Sequence, residues 1–366
     1  MRRVLQVIPL PKTRFPGGPT AIGLAMQEWD EWFRASNYDI QYQNSVVVDR
    51  ADQTQGKLDF GNLRSAMALR GAVFNRCRAE TYDLIHIHSS YSMGMLKDLV
   101  LSEEWARRLG IPIAFHIHFA ELASTLPKRS PFKQAALAMI KRGRSHLVLL
   151  GEGLKTELAA KGIQRERMSV LPNFHLGKPQ SPPPKEKGKV RLLFLGSLDR
   201  RKGFFDLLAA LETMPDKDWE LNVGGRFLDP ELEQQFERRV DAVRDRVHMH
   251  GYISGEKKAD ILKSSDVLVL PSYGEGMPVV ILEAMAVGCA ILTTNVGAID
   301  EVIDDGVQGR LFNPGDVNTL SSSIGELIDQ PELLEMMQAN SYRDADKFSP
   351  QKFRERLVSI YDDVLS

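Results

Sequence analysis

The chain has 366 residues, 43% of them apolar and 26% charged, the balance of a globular protein long enough for two domains. No run of about 18 apolar residues reads as a membrane-spanning helix, and the two cysteines, Cys77 and Cys289, are too few for a disulfide framework or a thiolate metal site. The net charge of −1 hides an asymmetry: residues 1–173 carry 24 Lys and Arg against 16 Asp and Glu, a balance of +8, and the remainder carries −9. A basic half points to an anionic partner, such as an acidic lipid surface, a lipid-linked phosphate or an acidic sugar, with a solvated surface as the plain alternative.

Apolar runs alternate with amphipathic segments from end to end, which predicts an α/β fold with parallel sheets. The first strand is expected over Val4–Pro9. Its segment, MRRVLQVIPLP, is too short for a signal peptide and lacks a small-residue cleavage site, so a cytoplasmic location is expected. The glycine loop Lys12–Thr20 opens a helix predicted to run through Phe33. Gly17 and Gly18 would let backbone approach a ligand closely; an ordinary turn is the alternative. Residues 61–79 have helical spacing with Arg64, Arg70, Arg76 and Arg78. Further on, Lys128, Arg129, Lys133, Lys141, Arg142 and Arg144 flank the apolar AALAMI. Such basic edges suit either peripheral contact with an anionic membrane or the solvated faces of helices packed on their own sheet.

Three His-x-His triplets occur: His86/His88, His116/His118 and His248/His250. Residues two apart share one face of a strand. The first two triplets close the predicted strands YDLIHIH and IPIAFHIH, where α/β folds place ligand sites. A metal-dependent hydrolase is therefore one reading, but Glu121 is the sole nearby carboxylate to support it. His248 and His250 read as structural. HLVLL at 146–150 is another strand, and Asn173 ends the first domain.

Residues 178–189, KPQSPPPKEKGK, have no apolar face and read as an exposed linker. Strand Val190–Leu195 opens the second domain, followed by GSLDRRKGFFDLLAALE, a cationic glycine loop before a helix. Strand Glu220–Val223, a charged helix Glu231–Val243 and strand Val247–His250 come next. Asp216–Lys217–Asp218 imitates a metal-binding Asp-x-Asp, but it sits in a polar turn and reads as turn chemistry. The tail, FSPQKFRERLVSIYDDVLS, places Phe353, Leu357, Ile360, Tyr361 and Leu365 on the apolar face of a helix.

The most informative stretch runs from Ser265 to Asp305. A short strand, Val267–Leu270, leads through a polar loop to Pro278, expected as the first residue of a helix ending at about Val287, with Gly288 as C′. A further strand follows over Ala290–Thr293. Amides of Gly276, Met277 and Val279 would stand at a helix N-terminus, a natural phosphate site. Glu275 lies in the loop. Glu283 lies on an apolar helix face, where a carboxylate needs hydrogen bonds that a ribose diol would supply.

The segment EGMPVVILEAMAVGCAILTTNVGAIDEVIDDGVQGRLFNPGD closely resembles the signature of the family-4 retaining glycosyltransferases of the GT-B fold: a Glu, seven residues, a second Glu, a small-residue helix and a Gly-rich return. The resemblance implies two Rossmann-like domains facing a central cleft. These would be an acceptor domain over 1–173, a linker over 174–189, a nucleotide-sugar domain over 190–349, and a terminal helix, 350–366, returning to the first domain. It implies transfer of a sugar from a nucleotide-sugar to an acceptor hydroxyl in bacterial glycan, exopolysaccharide or glycolipid synthesis. A UDP-sugar is favoured and a GDP-sugar is the alternative donor; neither a metal nor another cofactor is expected.

By the same resemblance Lys202 neutralises the donor diphosphate, and Gly17 and Gly18 border it. Ser197 stands where many relatives carry Arg, so either Arg200 or Arg201 adds the second positive charge or the phosphate is held with one cation fewer. Tyr252 and Ile253 would cup the base, Glu283 would hold the ribose, and Glu275 would hold the donor sugar. One of His116 and His118 would face that sugar, and His118 is chosen. Phe119 and Phe174 replace glycines common in the family. A non-catalytic sugar-nucleotide binder of the same fold is the other alternative.

Overall fold

The computed structural model describes residues 1–10, 18–45, 60–89, 92–119, 131–176 and 189–366. Contacts divide the chain into two compact units, one of Met1–Asn173 with Gln351–Ser366 and one of Phe174–Pro350. Each is built on a six-stranded sheet in which every paired strand is parallel.

In the first unit β1 (Arg2–Ile8), β2 (Tyr38–Asn44), β3 (Leu84–Ser89), β4 (Ile113–Ile117), β5 (His146–Leu149) and β6 (Met168–Val170) lie in the order β2-β1-β3-β4-β5-β6. The winding reverses between β1 and β3. Alternation along these strands separates two faces. Leu5, Val7, Ile85, Ile87, Phe115 and Leu149 join Val73, Leu99 and Trp105 of the helices Phe60–Ala79 and Ser92–Leu109 in one apolar core. The opposite face carries Gln6, His86, His88 and His116, with Gln6 in register with His86 and His88 with His116. The terminal helix Pro350–Leu365 meets this face: Phe353, Leu357, Ile360 and Tyr361 are buried, and Asp362 accepts hydrogen bonds from Arg2 and the Tyr38 hydroxyl.

In the second unit β7 (Val190–Leu195), β8 (Trp219–Gly224), β9 (Val247–Gly251), β10 (Val267–Leu270), β11 (Ala290–Thr294) and β12 (Gly309–Phe312) lie in the order β12-β11-β10-β7-β8-β9. Counted outward from β7, this is the doubly wound dinucleotide-fold order, and its switch point lies between β7 and β10.

Several boundaries depart from the sequence-based expectation. The first strand starts at Arg2, because β1 pairs with β2 from Arg2 opposite Tyr38, and ends at Ile8. The single helix expected through Phe33 is two, Gly18–Gln27 and Asp30–Ala35, broken where the amides of Glu28 and Trp29 bond back three residues to Ala25 and Met26. The charged helix is Pro230–Arg239, capped by Asp229, and it tightens into a 3₁₀ segment over Val240–Arg246. There Val240 and Val243, both buried, match a three-residue turn.

Residues 11–17, which include Gly17, together with Glu121, Lys128, Arg129 and residues 177–188, lie outside the described residues. Among the described basic residues, Arg70 forms a two-pronged bond to Glu104, and Arg76 donates to Tyr82, Gln41 and the Tyr42 carbonyl. Both are therefore engaged within their own unit. No described helix is long and apolar enough to cross a membrane.

Candidate active site

Two loops leave the carboxyl ends of β7 and β10, the neighbours at the switch point. Where they touch, Gly203 adopts φ +70°, and a Cβ there would fall 2.0 Å from the Pro271 carbonyl oxygen, so only glycine lets the loops approach. Backbone bonds join them: Tyr273 N donates to Arg201 O at 2.7 Å, and the Arg201 guanidinium donates to Gly274 O at 3.0 Å. Asp199 holds the first loop from inside, accepting from Lys202 N at 2.8 Å and from the Ser197 hydroxyl at 2.7 Å. Ser197 thus fastens the loop. Arg200 and Arg201 are both exposed, and Arg201 is tied to the opposite loop.

Lys202 and Glu275, one from each loop, meet with Nζ 2.5 Å from Oε1, their side chains only 15% and 8% exposed. The helix after Glu275 spans Val279–Ala286. Pro278 is its N-cap rather than its first turn, because its ψ of 119° is extended. Among the described residues no side chain caps this end, the Ile281 amide turns back to Pro278 O at 3.1 Å, and the helix dipole favours an anion there. A third loop supports Glu275 and Gly276 from below. Gly297, at φ +70°, brings its backbone so close that a Cβ would lie 2.4 Å from Glu275 O, and Ala298 N donates to Gly276 O at 2.9 Å.

Glu283 is 6% exposed, and its partner is Lys258, with Nζ 2.5 Å from Oε2. Sequence reasoning passed over Lys258, although its spacing from Ile261 and Leu262 in the helix Gly255–Ser264 places it toward the buried side. After β9, Ile253 is buried and packs above Gly224, while Tyr252 is half-buried and burial raises its phenol. The structure therefore gathers Ser197, Arg201, Lys202, Glu275, Gly276, Met277, Pro278 and Val279 around the switch point. Gly18 begins the helix Gly18–Gln27 in the other unit.

His118 lies just past β4 in the first unit, within a buried cluster. It faces His88 at 2.8 Å and stacks on His116 with ring centroids 4.0 Å apart. Burial pulls His86 and His118 down to about 3 and His88 and His116 well below the ordinary range, with neighbouring imidazoles adding to it for His86, His88 and His116. His86, His88 and His116 each offer a nitrogen within 4.8 Å of the others. Both nitrogens of His88 are already engaged, one by Gln6 and one by His118, and the rings stack rather than converge. His250 bonds Asn222 at 2.8 Å, and Lys217 in the Asp-Lys-Asp turn pairs with Asp329.

Comparison with known proteins matches both halves. Residues 5–173 match the glycosyl transferase 4-like domain, and residues 178–344 match glycosyl transferases group 1. The chain is 26% identical to an MMP alpha-(1->4)-mannosyltransferase of Mycolicibacterium hassiacum, over 83% of this chain and 75% of that protein. It is 25% identical to a D-inositol 3-phosphate glycosyltransferase of Streptomyces griseus, over 78% and 68% respectively. Among solved structures, sucrose-phosphate synthase from Thermosynechococcus elongatus superposes with a TM-score of 0.77 at 16% identity, over 100% of this chain and 99% of that one. Anabaena HepE in complex with UDP gives 0.72 at 16% identity, over 99% and 100%. These likenesses establish the GT-B fold, and the hydrolase alternative loses its ground. With both halves matched, the chain belongs to the group 1 glycosyl transferases of the family-4 type and is a glycosyltransferase.

Proposed function

We propose that the protein moves a sugar from a nucleotide-sugar, a UDP-sugar before a GDP-sugar, to an acceptor hydroxyl, with retention at the anomeric carbon and without a metal. The observation that carries this reading is the Lys202–Glu275 pair at the switch point, beside an uncapped helix N-terminus. As the donor binds, Lys202 turns from Glu275 to the diphosphate, where Arg201 and the first helix amides add fixed donors to the charge that develops on departure. Glu275, released from the lysine, accepts hydroxyls of the donor sugar.

Glu283, held by Lys258, receives the ribose, and the base lies against Tyr252 and Ile253. His118 contacts the transferred sugar. Attack from the same face, with the leaving phosphate taking the acceptor's proton, gives retention. Two further HepE structures, described as complexes with UDP-glucose and with UDP and glucose, support a donor and acceptor of this kind. The basic first half supports a lipid-linked or acidic acceptor in bacterial glycan, exopolysaccharide or glycolipid synthesis, with Arg64, Arg78, Lys141 and Arg142 exposed for peripheral contact with an anionic membrane.

Lys202→Ala should lower kcat by about 10²–10³-fold, the cost of losing one fixed donor to developing charge. Glu275→Ala should abolish turnover while donor binding persists. Anomeric configuration of the product, read by proton NMR with and without chelator, tests the chemistry. An inverted product, or turnover that vanishes with chelator, would contradict it; donor binding without turnover by the wild type would leave only a binder.

A further inference from the structure

β1, β3 and β4 bring Gln6, His86, His88, His116 and His118 together, none more than 9% exposed. Three hydrogen bonds run in a line from Tyr361 through Gln6 and His88 to His118. The Gln6 amide nitrogen donates to the Tyr361 hydroxyl at 2.5 Å, the Gln6 amide oxygen faces His88 Nε2 at 2.6 Å, and His88 Nδ1 faces His118 Nε2 at 2.8 Å. One assignment fixes the rest. An amide oxygen only accepts, so His88 Nε2 carries a hydrogen and donates it. A neutral imidazole has one donor and one acceptor, which makes His88 Nδ1 an acceptor. His118 Nε2–H must then donate to it, leaving a bare lone pair on His118 Nδ1.

That Nδ1 is buried and has no hydrogen-bond partner among the described residues. His86 Nε2 and both His116 nitrogens share that state among the described residues; a buried polar atom without a partner is costly in a native protein and calls for one, such as an ordered water or a ligand. Stacking on His116 holds the ring plane, and the Gln6 amide nitrogen, bonded to the Tyr361 hydroxyl that also faces His86 Nδ1 at 2.8 Å, leaves the amide oxygen for His88. Coordination of a metal by the same rings is disfavoured. His86 lies nearly parallel to His88 and to His116, at interplanar angles of 27° and 15°, so their lone pairs run side by side instead of meeting.

We infer that Gln6 and His88 are positioning residues that lock His118 as its Nε2–H tautomer and aim its Nδ1, as a hydrogen-bond acceptor, at a substrate hydroxyl. This rests on the placement of His118 at the transferred sugar proposed above.

Long-range proton–nitrogen NMR of histidine-labelled, ligand-free protein at pH 7 reads the tautomers directly. Both His88 and His118 should carry hydrogen on Nε2. His118 hydrogen on Nδ1, or a charged His118 ring, overturns the inference. So does a stoichiometric shift of all these rings on adding zinc chloride, which would make the cluster a metal site. Because the spectra need no substrate, the lock is upheld or overturned whether or not sugar transfer is observed.

Turnover of the UDP-sugar used by the wild type gives the second readout. His88→Ala should lower kcat by at least about tenfold with little change in KM, the signature of a wrong tautomer. His88→Asn, whose Oδ1 can stand where Nδ1 stands, should restore most of the turnover and the Nε2–H tautomer of His118. Losses in both variants that follow their melting temperatures alone would reduce the cluster to packing.

Discussion

Two opposite charges that meet out of water depend on each other, because either one alone would be a buried, unpaired ion. Lys202 and Glu275 are in that position. Lys202→Ala should therefore destabilise the protein by about 3–5 kcal/mol, and adding Glu275→Ala should recover much of that loss. Urea denaturation of the two single variants and the double variant checks this, and simple additivity would show the pair to be uncoupled. The imidazoles give a second test. Burial holds His86 and His118 at about 3, against 6.5 in an open chain. Below pH 6.5 the unfolded chain takes up protons that these folded rings refuse. Their contribution is thus complete above 6.5 and falls as the pH drops toward 3, by about 1.4 kcal/mol per pH unit for each ring. Denaturant midpoints that stay level from pH 7 to 4.5 would contradict the neutral cluster. At this scale the sequence was legible where chemistry is local: Lys202, Glu275 and Glu283 stand in motifs. It was mute where partners are remote, as with Lys258 beneath Glu283 or Gln6 and Tyr361, which are 355 residues apart.

Elements with one dominant signal were readable to the residue. Val190–Leu195 and Val267–Leu270 are short apolar runs bounded by turn residues, and both fall where expected because strands buried on two faces need no alternation. Helix ends were harder. The break at Glu28 and Trp29 has no proline or glycine to announce it, and Pro278 can serve equally as first-turn residue or, as found, as N-cap with extended ψ. Loop contacts decide the rest. Gly203→Ala should cost about 1–3 kcal/mol from the left-handed backbone alone, with more from the Cβ against Pro271 O. It should also push the Lys202 loop away from Glu275 and weaken nucleotide binding. Calorimetry of the variant with UDP measures both effects, and unchanged binding would separate the loop contact from the site.

The strand orders of the whole molecule could not be read from one chain, since each depends on which strands pair across long connections. The α/β class could be, because strands and helices alternate throughout, whereas the two-domain plan came from chain length and from the family resemblance. The terminal helix ties the end of the chain to its beginning. Leu357 is fully buried, and Leu357→Ala should cost about 2–5 kcal/mol; a loss under 1 kcal/mol in urea titration would mean that the helix is weakly held. The central claim is that the switch point between β7 and β10 binds a nucleoside diphosphate without metal. Thermal melting against UDP, GDP, ADP and NAD, each with and without chelator, tests it most directly. One nucleoside diphosphate should raise the melting temperature, reflecting about 2.7 kcal/mol at a hundredfold excess over its Kd, and chelator should leave that shift unchanged. No shift with any nucleotide, together with destabilisation by chelator alone, would contradict it.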